Sequence, residues 1–296
     1  MSFEEIRSVF RQLSQWLGPH SLGIGGGEPF LRSDIFQILD MAARFDIRTS
    51  FVTNASLLTE ERIKKLHSTP LEHISLSLNH LDPEKHDFTR GVKGHAKKIF
   101  EAIPLLNIPD RKFRLTISTI LMGFNFENVP ELIMWAEKQA LDGVTLQVLY
   151  YETGSAKYEQ GWYENSPFWE KSPEKINRLM DTLIEMKNKG AKLINTIQQL
   201  EFMRSYLLEP ENCLDLPCRV GVANFDIEPD GTVLLCDVMP PIGNIRKTPP
   251  GEIWRGREAY MRRIDIRSCT RNCRIKTCNF RKPLMTILKE RIGIKT

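Results

Sequence analysis

The chain has 296 residues, 41% hydrophobic and 26% charged, which suits an ordinary globular protein able to bury a core without staples. No stretch approaches the roughly 18 consecutive apolar residues of a membrane span. The opening Met1-Ser2-Phe3-Glu4-Glu5 lacks the basic and apolar regions of a secretory signal, so a cytoplasmic location and no membrane partner are expected. The net charge of +4 is uneven: from Arg246 onward fifteen Lys or Arg stand against four acids, leaving +11 there and −7 in residues 1–245. Such a basic end has three readings: a nucleic-acid footprint, counter-charge to an anionic thiolate centre, or a solvated face.

Helical spacing of Ile6, Val9, Phe10, Leu13 and Leu17 predicts a first helix over 3–17, with Ser2 and Glu5 as its capping box and Gly18-Pro19 as its end. A strand from Ser21 to Gly25 runs into a glycine turn, Gly25-Gly26-Gly27-Glu28-Pro29. A helix follows over 34–45, a strand through Thr49 to Thr53, and a helix opened by Thr59. Strands are then expected at His73–Leu78, Phe113–Leu121 and Val144–Tyr150, with helices at His95–Ile103 and Val129–Gln139. This alternation implies a parallel sheet with helices outside, either an open sheet or a barrel. Residues 151–168 have no period and read as a loop over one end of the sheet. Ser172 and Pro173 open a further helix that Gly190 closes.

The character changes at Cys213, because all six cysteines lie between it and Cys278. Phe225 and Ile227, then Pro229-Asp230-Gly231, then Val233 and Leu235 predict a hairpin that returns Cys236 beside its start. Cys218 precedes Gly231 by twelve intervening residues, Cys236 follows it after four, and Cys269, Cys273 and Cys278 come later. Clustered thiolates without a secretory signal point to iron–sulfur or zinc chemistry in preference to disulfides or core packing. The six suffice for one four-thiolate site with two to spare. His67, His73, His80, His86 and His95 show no ligand spacing.

The glycine turn stands where a dinucleotide fingerprint would, but the third required glycine falls on Glu28 and no ribose acid follows. What remains is a run of backbone amides beside one carboxylate, suited to gripping an ammonium and a carboxylate together. Gly26-Gly27-Glu28-Pro29 resembles the motif with which the radical S-adenosylmethionine (SAM) superfamily binds the methionyl amino group. Thr53-Asn54, Ser75-Leu76-Ser77-Leu78-Asn79 and the phrase Asp82-Pro83-Glu84, His86-Asp87, Arg90-Gly91 continue the resemblance, with Asn79 in place of the usual aspartate. The C-terminal region is similar to the SPASM or twitch extension of that superfamily. Cys218, Gly231 and Cys236 fit its opening, Gly243-Asn244-Ile245 and Glu252-Ile253-Trp254 its arm, and Cys269, Cys273 and Cys278 its close only approximately.

The resemblance implies an incomplete parallel (β/α)6-type partial barrel over 1–195 and a small cysteine-rich auxiliary-cluster domain over 196–296. It implies that Gly25, Gly26, Gly27, Glu28, Pro29, Ser77 and Arg90 hold SAM. It further implies that four of Cys213, Cys218, Cys236, Cys269, Cys273 and Cys278 hold a [4Fe-4S] auxiliary cluster that binds substrate or accepts an electron. The activity expected is reductive cleavage of SAM to a 5′-deoxyadenosyl radical and hydrogen abstraction from a peptide or small molecule, served by an electron donor. The family's SAM-cleaving cluster uses cysteines spaced by three and then two residues after the first barrel strand, and residues 1–212 hold no cysteine. An N-terminally truncated or naturally degenerate form of such an enzyme is therefore expected. The alternative is a non-catalytic cluster- or zinc-bearing module whose basic end binds RNA or a partner protein.

Overall fold

The computed structural model describes residues 1–150, 160–212, 216–271 and 273–275. Helix α1 (Phe3–Leu17) starts at the expected capping box: Ser2 Oγ accepts from the Glu5 N–H, and the Glu5 carboxylate accepts from the Ser2 N–H. Then come β1 (His20–Ile24), α2 (Ile35–Arg44), β2 (Ile47–Thr53), α3 (Glu60–Ser68), β3 (His73–Ser77), α4 (Pro83–Arg90), α5 (His95–Leu106), β4 (Arg114–Leu121), α6 (Val129–Lys138) and β5 (Gly143–Val148). The five strands form one parallel sheet in chain order, β1 to β5, as strand–helix alternation requires. This is the partial barrel expected, with β1 at one edge of the described sheet.

One face of the sheet is sealed. Phe51, Ile74, Leu76, Leu115, Ile117, Val144 and Leu146 point into a core shared with Phe36, Leu39, Leu66, Ile99, Leu132 and Ile133 of the surrounding helices. Strand alternation sends Ser50, Val52, Ser77, Ser118, Thr145 and Gln147 to the other face, where all are partly or fully exposed. A parallel sheet ordinarily buries both faces, so this partly exposed, hydroxyl-rich face is a place for a ligand. At the far edge, helices α7 (Pro173–Asn188) and α8 (Ile197–Leu208) pack on each other and join the same core through Leu179, Leu183, Leu200 and Met203. Between them Asn195, 1% exposed, substitutes for a strand: its side chain accepts from the Leu146 N–H (2.7 Å) and donates to the Leu146 C=O (3.0 Å).

The expected hairpin forms from β6 (Asp226–Ile227) and β7 (Thr232–Leu234), preceded by the short α9 (Val220–Ala223) and joined by β8 (Gly243–Asn244). Gly231 has φ +88, and a Cβ there would stand 2.9 Å from Asn244 Oδ1, so the turn requires glycine. Helices α10 (Pro250–Arg255) and α11 (Arg257–Arg267) complete the small unit. Helix α1 belongs to both parts. Phe10 packs with Ile38, Met41 and Ile47 of the barrel, while Val9 and Leu13 pack with Val233, Leu235, Cys236 and Ile253 of the small unit. Trp16 meets Phe225 and Trp254 with ring centroids 5.4 and 6.0 Å away, and Arg246 pairs with Glu5 at 2.7 Å.

Asp82 to Arg90 carries a helix as well as a motif. Asp82 caps it by accepting from the Glu84 N–H, Pro83 opens it, and Gly91 closes it with φ +64. The loop expected over 151–168 lies partly outside the described residues; within the described part, the Gly123 N–H donates to the Phe168 C=O. No helix among the described residues is long and apolar enough to cross a membrane.

Candidate functional site

The glycine turn leaves β1 at its carboxyl end and meets the carboxyl end of β2, where open parallel sheets bind ligands. Glu28 ties them together. Its side chain, 9% exposed, accepts from the Phe30 N–H (3.3 Å) and Thr53 Oγ1 (2.8 Å) on one oxygen and from the Asn54 N–H (2.9 Å) on the other. The second oxygen keeps a lone pair for an ammonium. Gly26 sits at φ +119, where a side chain is strained. Gly25 and Gly27 have no such constraint, and a Cβ at either would touch nothing in the chain. Packing and backbone conformation therefore give no reason for glycine at those two positions, whereas a ligand lying against the backbone does. The cradle fits the amino-acid end of SAM.

Ser77 ends β3 on the open face, and its hydroxyl has no hydrogen bond among the described residues. Two residues on, Asn79 joins three elements: its N–H donates to His86, Nδ2 donates to Thr89 Oγ1 (3.1 Å), Oδ1 accepts from the Ile120 N–H (3.1 Å), and its C=O accepts from Asn125. Thr89 spends its own proton on the His86 C=O, so an amide, and not a carboxylate, satisfies it. That accounts for asparagine at this position. The lattice holds α4 against β3 and so places Arg90 at the last turn of that helix. Arg90 Nε is buried with no partner, and burial lowers the guanidinium pKa. A half-buried guanidinium whose Nε lacks a partner fits a carboxylate.

The hairpin leads into Cys236, and Cys269 and Cys273 follow α11. Cys236 is buried beside Val233 and Leu235, while Cys218, Cys269 and Cys273 are half-buried thiols. Burial first, then Asp237, Cys273 and Cys218, push the Cys236 thiol up to about 11. Cys218 and Cys273 thus lie within electrostatic reach of Cys236. Among the described residues no three Cys, His, Asp or Glu side chains converge tightly enough to hold a metal ion. The remaining two candidates, Cys213 and Cys278, lie outside the described residues. The donor set, thiols alone, suits an iron–sulfur centre.

With this geometry in place, the chain matches the radical SAM superfamily over residues 1–136 and an iron–sulfur cluster-binding domain, SPASM, over residues 218–279. Residues 1–136 thus carry a radical SAM domain and residues 218–279 a SPASM domain. Among its relatives, an AdoMet-dependent heme synthase of Methanosarcina barkeri (strain Fusaro / DSM 804) is 24% identical over 280 residues, covering 90% of this chain and 76% of the relative. A PqqA peptide cyclase of Rhizobium meliloti (strain 1021) is 26% identical over 268 residues, covering 88% and 67%. Streptococcus suis SuiB, in a crystal structure with the precursor peptide SuiA, superposes with a TM-score of 0.66 at 18% identity, and this chain, 90% covered, spans 60% of the SuiB chain. The last similarity shows the partial-barrel fold. The SPASM match decides between the two metals left open by the cysteine spacing, in favour of iron and sulfide.

Sequence reasoning named Glu28, Arg90 and the four described cysteines as candidates and gave no role to His86 and His95, which the structure brings together as a pair. Two histidines nine residues apart, either side of a helix-ending Gly91, were the available signal.

Proposed function

We propose that this chain binds SAM across the carboxyl ends of β1 to β3 and a [4Fe-4S] cluster on its SPASM cysteines, and that the pair serves the modification of a peptide by hydrogen abstraction. The carrying observation is the glycine cradle beside Glu28, whose two unconstrained glycines border empty space. In this reading Glu28 takes the ammonium of SAM, Arg90 its carboxylate, and Ser77 a hydroxyl or carboxylate oxygen, while the backbone at Gly25 to Gly27 lies flat along the methionyl chain. The cluster ligands are drawn from Cys213, Cys218, Cys236, Cys269, Cys273 and Cys278. When bound, SAM supplies the hydrogen-abstracting radical and the SPASM cluster an electron relay or a substrate ligand.

The chain's own residues position these groups. The open face at Ser118, Thr145 and Gln147 receives the substrate and the sealed face keeps the strand ends rigid. A peptide is favoured as substrate because relatives include the PqqA peptide cyclase, and the superposed SuiB carries a precursor peptide. Residues 1–212 hold no cysteine, so binding is the readout chosen. Calorimetric titration of SAM into the chain should show one site. Gly27→Val, whose Cβ meets no protein atom, should leave the melting temperature nearly unchanged and abolish binding. Unaltered SAM affinity in Gly27→Val would refute the cradle.

A further inference from the structure

Two histidines without a role in that reading lie beside the same pocket. His86, on α4, is wholly buried, and His95, the first residue of α5, is 4% exposed. Their neighbours fix their tautomers. The Asn79 N–H donates to His86 Nδ1 at 3.1 Å, so that nitrogen carries no proton. His86 Nε2 stands 3.0 Å from His95 Nδ1, with the ring centroids 5.2 Å apart and the ring planes 22° from parallel. Burial, then Arg90, hold the pKa of both rings below the ordinary histidine value, His86 at about 4, so both are neutral near pH 7. The single proton of His86 is therefore on Nε2 and is donated to His95 Nδ1. His95 must then carry its own proton on Nε2.

That proton has no acceptor among the described residues. The nearby Asp87 is already engaged: its two oxygens accept from the Gly94 and Ala96 N–H groups. His95 lies within electrostatic reach of Arg90 and of Glu28, the two charged groups of the pocket. Arg90 Nε is a buried donor there without a partner. His95 Nε2–H is a second donor that no described residue answers, and an anionic oxygen within reach of both would accept from each.

We infer that His95 Nε2–H is a further binding donor for the SAM carboxylate, alongside Arg90, and that His86 is the positioning residue that fixes its tautomer. The inference rests on the SAM reading above, and its test separates the two. In protein labelled with ¹⁵N at histidine, long-range proton–nitrogen spectra at pH 7.5 should show both rings as Nε2–H tautomers. Saturating SAM should shift His95 Nε2 and leave His86 Nδ1 in place. By calorimetry, His95→Ala should bind SAM about tenfold more weakly, and His95→Gln, which restores an N–H, should recover most of that loss. If His95→Ala fails to fold, the wild-type spectra decide. An unmoved His95 signal with SAM bound and Glu28-dependent overturns the inference and leaves the SAM reading standing. Absence of SAM binding overturns both, and equal losses in the Ala and Gln variants overturn the donor role.

Discussion

Glu28 has a structural duty and a proposed ligand duty, and two substitutions separate them. In Glu28→Gln the amide oxygen can keep the Phe30 N–H and Thr53 hydroxyl, but the new NH2 faces the Asn54 N–H, donor against donor. One half-buried N–H loses its acceptor, a cost of about 1–2 kcal/mol, or about 3–6 °C in melting temperature for a chain of this size. Glu28→Ala loses all three bonds and should cost about 3 kcal/mol or more, about 6–12 °C. Both variants lose the negative charge offered to the SAM ammonium, worth about 10–100-fold in affinity. The signature is a pair of variants equally defective in SAM binding but unequal in stability, read by calorimetric titration beside thermal melts. SAM affinity in Glu28→Gln within about twofold of wild type, or binding losses that scale with the melting losses, would refute the ammonium contact.

Anaerobic reconstitution with iron and sulfide should load about four irons per chain, and Cys236→Ser should fall well short; stoichiometric zinc without charge-transfer absorption would sink the cluster assignment. Burial holds His86 at about 4 against an ordinary 6.5, so as pH falls from 6.5 to 4 the unfolded chain takes a proton that the folded one refuses. Stability present above pH 6.5 should be lost across that window, by on the order of 3 kcal/mol, and urea melts of wild type and His86→Gln compared at pH 7.5 and 4.5 should differ in slope accordingly. Asn195→Ala leaves the Leu146 N–H and C=O without partners and should cost about 3 kcal/mol in urea unfolding; a loss below about 1 kcal/mol would mean that water replaces the amide.

Features set by neighbours in sequence were legible in the sequence. The Ser2–Glu5 capping box, the Pro229-Asp230-Gly231 turn and the strand–helix alternation all depend on contacts within a few residues, where spacing carries the geometry. The glycine turn was legible for a different reason: three glycines followed by Glu28 are costly in entropy unless something outside the chain uses the exposed backbone. Asn79 was opaque. Its partners Ile120 and Asn125 lie some forty residues away on β4 and the turn beyond it, so the reason for asparagine appears only once β3 and β4 are side by side. Asn195 was opaque too, since nothing in its neighbourhood marks a side chain that will imitate a strand. Helix α4 was within reach, because Asp82-Pro83 and Gly91 are start and stop signals, but its short length and polar surface gave no apolar period.

Helix α1 lends Phe10 to one hydrophobic core and Val9 and Leu13 to another, so neither core is complete without it. Unfolding of the cysteine-rich unit strips the apolar cover from one side of that helix, and fraying of the helix opens the barrel at α2. The two units should therefore melt as one cooperative block, read as a single transition in scanning calorimetry. Iron captured between β7 and α11 would be felt as added stability at the barrel edge, through a single amphipathic rod clamped from two sides.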